Sequence, residues 1–257
     1  MGASPEDLSL LSRPAAPPDD ELTYGGAASH VADVWPGAAR AARRPLFVLV
    51  HGGFWSPRYD RTHLRPMAAK VRDLGWTVVS VEYRRQAGHP GLATADLAEA
   101  LRVLPPRLAG CHNGRVVVAG HSAGGHLALW SASQAPAPGL IATLALAPLA
   151  SLDRAHRLGL GGGAVLRFLG GTPAERPGYD PMRLPSPTSP VVLLRAEHDG
   201  LVPAEVAGSY AEAHPCRLRT VAGARHFSLV DPDHWASAIV VAELDALSRR
   251  TPGPADA

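Results

Sequence analysis

Residues 116–130 read VVVAGHSAGGHLALW, and the fold turns on how this stretch divides. Val116 to Ala119 form a continuous apolar run, the pattern of a strand covered on both faces. The residues from Ala123 onward suit a helix. Between them, Gly120-His121-Ser122-Ala123-Gly124 has the form G-x-S-x-G. A serine hydroxyl is a poor nucleophile until a base removes its proton. A tight strand-to-helix turn helps by pointing the oxygen out of the sheet, and glycines two residues before and after leave room for the crowded backbone. The pentapeptide alone also occurs in ordinary loops, so the strand before it and the helix after it carry the argument. Ser122 is the candidate nucleophile. The N–H of Ala123, at the positive end of the following helix, is a candidate donor to developing negative charge. His121 reads as structural, since adjacent side chains point in different directions.

The same rhythm extends to both sides. Apolar runs at 45–50, 76–82, 115–120, 140–147 and 190–196 alternate with helix-length segments at 61–74, 92–104, 123–135, 203–214 and 232–249. An earlier strand is expected within SHVADVWPG, ending at a Pro-Gly turn, and a short one at 216–221. Strand–helix alternation of this kind predicts an α/β chain: a mostly parallel, doubly wound sheet with helices on both faces. Residues 151–189 break the pattern with glycine and proline and one short helix candidate at 164–169. They are expected to form a cap insertion near the carboxyl ends of the strands, where open α/β sheets bind ligands, with a long surface loop as the alternative. Residues 1–20 are proline-rich and expected to be loose, 21–249 form one domain, and 250–257 form a frayed tail.

FVLVHGGFW, residues 47–55, ends another strand in His51-Gly52-Gly53. Small residues let backbone N–H groups approach an oxygen closely, as a tetrahedral intermediate requires. Gly53 or Phe54, together with Ala123, is the candidate oxyanion hole, and His51 is expected to brace the loop. A nucleophile elbow takes its acid and histidine later in the chain, in that order. Asp199 follows the strand at 190–196, and His226 follows the short strand at 216–221. They are the candidate acid and base, with Asp199 holding the imidazole in the tautomer that can accept the serine proton. Asp153 is the second choice for the acid and His234 for the base, while Glu197 is expected to point away. Asp231 and Asp233 read as first-turn charges of the last helix.

Composition narrows the partners. The formal charge is +2, and the basic residues, of which Lys70 is the only lysine, are scattered. No basic stripe points to nucleic acid. Cys111 and Cys216 have no metal-like spacing, and free buried thiols are expected, with a disulfide left open. The first 20 residues lack the basic start and apolar run of a signal peptide, and no apolar run has membrane-spanning length. A cytoplasmic protein without a membrane partner is expected, its oligomeric state left undetermined.

Together HGGFW, VEYRR, GHSAGGHLAL, HDGLVP and RHFSLVDP resemble the α/β-hydrolase superfamily. Within it they are similar to small esterases related to kynurenine formamidase and, more distantly, to hormone-sensitive-lipase-type carboxylesterases. The resemblance runs from about Ser29 to Leu247. It implies a Ser122–His226–Asp199 triad, an oxyanion site at Gly53, Phe54 and Ala123, and neither a metal nor an organic cofactor. The expected activity is hydrolysis of a small-molecule carboxylic ester or activated amide through an acyl-enzyme. Trp55, Phe168 and Met182 are candidates for the substrate pocket, with core packing as the alternative for the last two. A hydrolase-fold binding protein without turnover and a peptidase of the same fold remain as rivals.

Overall fold

The computed structural model describes residue 6 and residues 8–249. Residues 1–5 and 7 of the expected loose segment, and the whole expected tail at 250–257, lie outside the described residues. Among the described residues the eight strands are β1 (Asp20–Thr23), β2 (Val31–Trp35), β3 (Leu46–Val50), β4 (Val78–Val81), β5 (Val116–His121), β6 (Leu140–Leu146), β7 (Val191–Ala196) and β8 (Arg217–Val221). They form one sheet in the order β1-β2-β4-β3-β5-β6-β7-β8. Strands β3 to β8 are mutually parallel, and β2 runs antiparallel to both β1 and β4.

The pleat sorts the core. Leu46, Val48 and Val50 of β3 face the side covered by α2 (Pro90–Arg107), α3 (Ala123–Gln134) and α6 (Ala204–Ala213). Phe47 and Leu49 face α1 (Arg65–Asp73) and α7 (Ala236–Ser248) on the other. Both faces of β3 are therefore sealed, which explains why its sequence is a continuous apolar run rather than an alternation. Full burial of each such aliphatic side chain stabilises the fold by about 1.5–3 kcal/mol.

The connections place the site. From β3 the chain crosses through α1 to β4 on one side, then returns through α2 to β5 on the other. Adjacent parallel strands β3 and β5, with Val50 opposite Gly120, thus send their chains to opposite faces. Such a switch point opens a crevice beyond the strands' carboxyl ends. The expected oxyanion loop follows β3, and the expected nucleophile follows β5.

Several elements differ in detail from expectation. The segment 61–74 divides into a 3-10 turn, Arg61–Leu64, and α1. Asp60 accepts the Thr62 N–H to start the turn, and Pro66 lies in the first turn of α1. The last helix begins at Ala236 rather than 232, so Asp231 and Asp233 are not first-turn charges. They bind Arg13 instead, at 2.8 and 2.9 Å. The insertion between β6 and β7 holds α4 (Leu152–Arg157) and α5 (Leu160–Leu169) before two short 3-10 turns. Only the later part of α5 matches the expected helix; Gly161, Gly162 and Gly163 take left-handed φ of 58°, 60° and 81°. The buried Asp180 fastens this insertion by accepting the N–H groups of Leu152 and Asp153. Cys111 and Cys216 are both free and half-buried.

Within the expected loose segment over 1–20, most of the described residues are exposed or half-buried, but one is anchored in the core. Leu10 is 2% exposed and packs in the core cluster that contains Phe227, Leu229 and Val230. Among the described residues no helix is long and apolar enough to cross a membrane.

Candidate active site

Ser122 occupies the turn between β5 and α3 at φ 55° and ψ −117°. A non-glycine residue held there stores about 1–3 kcal/mol of strain. The surroundings enforce it: Ser122 N–H donates to Leu146 O at 2.8 Å, and Ser122 O accepts the N–H groups of His126 and Leu149. The two glycines of the motif are required by contact. A Cβ on Gly120 would lie 2.1 Å from Gly124 O, and one on Gly124 would lie 2.1 Å from Val50 O. The helix after the elbow is therefore pressed against the strand before it and against the neighbouring strand β3.

The loop after β3 meets the elbow directly. A Cβ on Gly52 would stand 2.9 Å from Ser122 Cβ and 2.7 Å from His121 O, so only glycine fits there. The chain then passes through positive φ at Gly53, Phe54 and Trp55 (105°, 52° and 54°). The N–H groups of Gly53, Phe54 and Ala123 have no backbone acceptor among the described residues, which leaves them available to an anionic oxygen.

Residues of VEYRR hold this loop, a role the motif alone did not announce. Tyr83 stacks on His51 at 4.4 Å, and its hydroxyl donates to His51 O at 2.8 Å. His51 Nε2 lies 3.0 Å from Glu82 Oε1, and Glu82 also accepts the N–H groups of Arg61 and Tyr83 and pairs with Arg85. Burial raises the Glu82 pKa, but the His51 hydrogen bond and charge, Arg85 and the Tyr83 N–H outweigh it and bring it down to about 2. Arg61 and Arg65 then converge on the fully buried Asp33 of β2, at 2.8 and 2.7 Å. VEYRR was visible in the sequence as a motif. A charged residue closing an apolar strand was the signal that it supports a buried network.

Asp199 and His226 come together from the loops after β7 and β8. His226 Nδ1–H donates to Asp199 Oδ2 at 2.8 Å, with both side chains 2% exposed. Asp199 Oδ1 accepts the N–H groups of Leu201 and Val202 at 2.9 and 2.7 Å. The carboxylate is thus fixed at both oxygens, with one of them on the His226 ring. His226 lies beside the elbow, its ring 4.6 Å from that of His121. His121 Nε2–H donates to His226 O at 3.0 Å, a hydrogen bond between the elbow and the base loop. Burial, with the charge of His226 next, holds the His121 pKa well below the ordinary imidazole value.

The second choices are occupied elsewhere. Asp153 pairs with Arg157 on α4, and Glu197 accepts Gly223 N–H at 2.7 Å. His234 Nδ1 accepts Ala236 N–H at 3.1 Å, at the start of α7. Of the candidate pocket residues, Trp55 and Phe168 stack at 4.4 Å, and both meet the edge of His126, one helical turn beyond Ser122. Phe54 packs against the glycine turn of α5. Met182 does not join them: it packs on a separate cluster with Leu129, Ala207 and Tyr210, so its contacts are those of core packing. Among the described residues no group of three or more His, Cys, Asp or Glu side chains is placed to hold a metal ion.

Comparison with known proteins agrees with this architecture. Residues 47–159 match a family model described as the alpha/beta hydrolase fold. The chain is 29% identical over 126 residues to the esterase LipQ of Mycobacterium tuberculosis (strain ATCC 25618 / H37Rv), covering 47% of this chain and 30% of that protein. It is 35% identical over 114 residues to an acetyl-hydrolase of Streptomyces hygroscopicus, covering 44% of this chain and 36% of that protein. The matches thus span about a third of the length of these curated relatives. Among solved structures, the apo form of Thermogutta terrifontis esterase 2 superposes with a TM-score of 0.71 at 21% identity, covering 93% of this chain and 98% of that one. An inhibited esterase B of Lactobacillus rhamnosis gives 0.69 at 18% identity, covering 91% and 90%.

Proposed function

The chain has the α/β-hydrolase fold, and from that premise we propose that it is a serine hydrolase cleaving small carboxylic esters. The observation that carries the reading is the buried Asp199–His226 hydrogen bond of 2.8 Å, with the His226 ring 4.6 Å from that of His121, the residue before a strained serine. Further support comes from the names of the relatives, an esterase and an acetyl-hydrolase.

In the proposed reaction Ser122 Oγ attacks the substrate carbonyl carbon while His226 Nε2 takes its proton. The new imidazolium keeps its Nδ1–H on Asp199, which stabilises the positive charge. The carbonyl oxygen becomes an oxyanion and accepts from the N–H groups of Ala123 and of Gly53 or Phe54. Collapse breaks the bond to the alcohol, which leaves with the proton from His226. Water then attacks the acyl-enzyme, with His226 again as base, and the acid is released. The Trp55–Phe168 stack, one turn from Ser122, bounds the acyl side and favours short acyl groups. An N-formyl anilide presents the shortest acyl group to the same machinery, so arylformamidase-like amide cleavage is the finer reading.

A fluorophosphonate probe, which reacts only with an activated serine, tests the proposal. The wild type is expected to label and to hydrolyse p-nitrophenyl acetate, while Ser122→Ala and His226→Ala do neither. A folded wild type that fails to label would favour the binding-protein reading. Parallel turnover of formanilides and short esters then separates amide from ester preference.

A further inference from the structure

We propose that Glu6 is a positioning residue for the Asp199–His226 pair, an inference that rests on the serine-hydrolase reading above. Asp199 and His226 stand on separate loops, and each is held from its own side. Glu6 bridges the two. Its Oε1 accepts Gly200 N–H at 2.6 Å, on the residue after the acid, and His226 N–H at 3.4 Å, on the base itself. Gly200 is the residue that lets the carboxylate so close: a Cβ there would lie 3.3 Å from Glu6 Cγ.

The carboxylate is delivered by an arm that grips the base loop at two further points. Leu10 buries its side chain against the cluster containing Phe227, Leu229 and Val230. Arg13 spans both oxygens of Asp231 at 2.8 and 2.9 Å and reaches Asp233 as well. The three anchors therefore bear on residues 226–233 in chain order. A cavity of about 260 Å³, lined by Glu6, Leu10, Arg225, Phe227, Asp231 and His234 among others, separates the Glu6 contact from the Arg13 contact. It reaches neither Ser122 nor the oxyanion loop, so the arm works behind the base and not in the substrate crevice. Glu6 meets neither substrate nor reacting atoms. It acts by fixing where the imidazole stands, and small displacements of a catalytic group carry large rate penalties.

Three proteins test this: wild type, Glu6→Ala and Glu6→Gln, the last keeping a side-chain oxygen in the Oε1 position. The first readout is the low-field NMR signal of the His226 Nδ1 proton shared with Asp199, which does not depend on turnover. The second is kcat and KM for p-nitrophenyl acetate, with the fluorophosphonate labelling rate and the unfolding midpoint. In Glu6→Ala the Nδ1 signal is expected to shift or broaden. Its kcat and labelling rate are expected to fall about tenfold with KM within about twofold of wild type, and Glu6→Gln restores most of both. An unchanged Nδ1 signal in Glu6→Ala overturns the proposal whether or not the protein hydrolyses esters. So does a kcat loss that follows the unfolding midpoint and that Glu6→Gln fails to rescue. A wild type that keeps its Nδ1 signal but never labels sinks the hydrolase reading instead, and the two failures stay distinct.

Discussion

Ser122 combines a side chain that the proposed chemistry needs with a backbone that the side chain resists. At φ 55° and ψ −117° its Cβ is crowded by the peptide on either side, a cost of about 1–3 kcal/mol that glycine escapes. Ser122→Ala removes the hydroxyl and keeps the strain, whereas Ser122→Gly removes both. Both variants are expected to be inactive, but Ser122→Gly gains about 1 kcal/mol over Ser122→Ala after glycine's extra unfolded-state entropy is subtracted. In a domain of this size that is about 2–4 °C in the thermal midpoint. Equal midpoints would mean the elbow stores no strain. Ser122 was legible in the sequence because its constraint is local: a strand, two glycines and a helix within fifteen residues. Asp199 and His226 were also legible, since each follows directly on a strand. Glu6 was not, because nothing in a proline-rich segment announces which distant N–H groups its carboxylate reaches. Asp33 and Arg61 escaped for the same reason: buried charges paired across strands leave no spacing to read. Glu82 stood in view within VEYRR, but its partners His51 and Arg61 did not follow from spacing.

At the scale of elements, the proposed acyl pocket rests on the insertion between β6 and β7. α5 lays Phe168 on Trp55, and the pair fills space one helical turn from the elbow. Phe168→Ala opens that volume. The ratio of kcat/KM for p-nitrophenyl hexanoate over acetate is expected to rise about tenfold or more, as each methylene in an apolar pocket contributes about 1–3 kcal/mol of discrimination. The lost packing destabilises the fold by about 3–5 kcal/mol, so the comparison belongs well below the variant's unfolding temperature. An unchanged chain-length ratio would remove the stack from the acyl pocket and leave it as core. The helix over 164–169 could be foreseen from its apolar residues, but α4 could not. Its six residues begin with Ser151 accepting Arg154 N–H and are held by Asp180, which lies far along the chain. The central strands were legible because both their faces are buried. β1 was missed because its residues are mostly exposed, and an edge strand covered on neither face carries no apolar run.

Across the whole molecule the crevice is built on imidazoles buried in neutral form, and this makes the fold sensitive to acid. His63 lies beside His51 under the oxyanion loop, His121 precedes the nucleophile, and His126 follows it by one turn. Burial lowers the pKa of His63, helped by the charge of His51, and burial alone lowers that of His126, each from 6.5 to about 4. His121 is held well below its ordinary value in the same direction, by burial and then the charge of His226. The unfolded chain binds a proton at each site near pH 6.5, whereas the folded chain does not do so at His63 and His126 until about pH 4, and His121 is held in the same direction. Below pH 6.5 the unfolded state therefore holds more protons, and stability falls as pH falls across that window. Glu82 adds nothing there, because its stabilisation is present above its unfolded value of 4.5 and is lost only as pH drops toward 2. Thermal unfolding between pH 7 and 5 is expected to show a steadily falling midpoint. Calorimetry in buffers of differing ionisation enthalpy should give roughly two to three protons taken up from these sites on unfolding near pH 5. His126→Gln removes one of the three sites, so its uptake should be about one proton smaller and its midpoint less dependent on pH, although the variant is less stable at pH 7. A wild-type midpoint that stays flat from pH 7 to 5 would mean that these imidazoles gain protons inside the fold, and that the crevice admits more water than its packing implies.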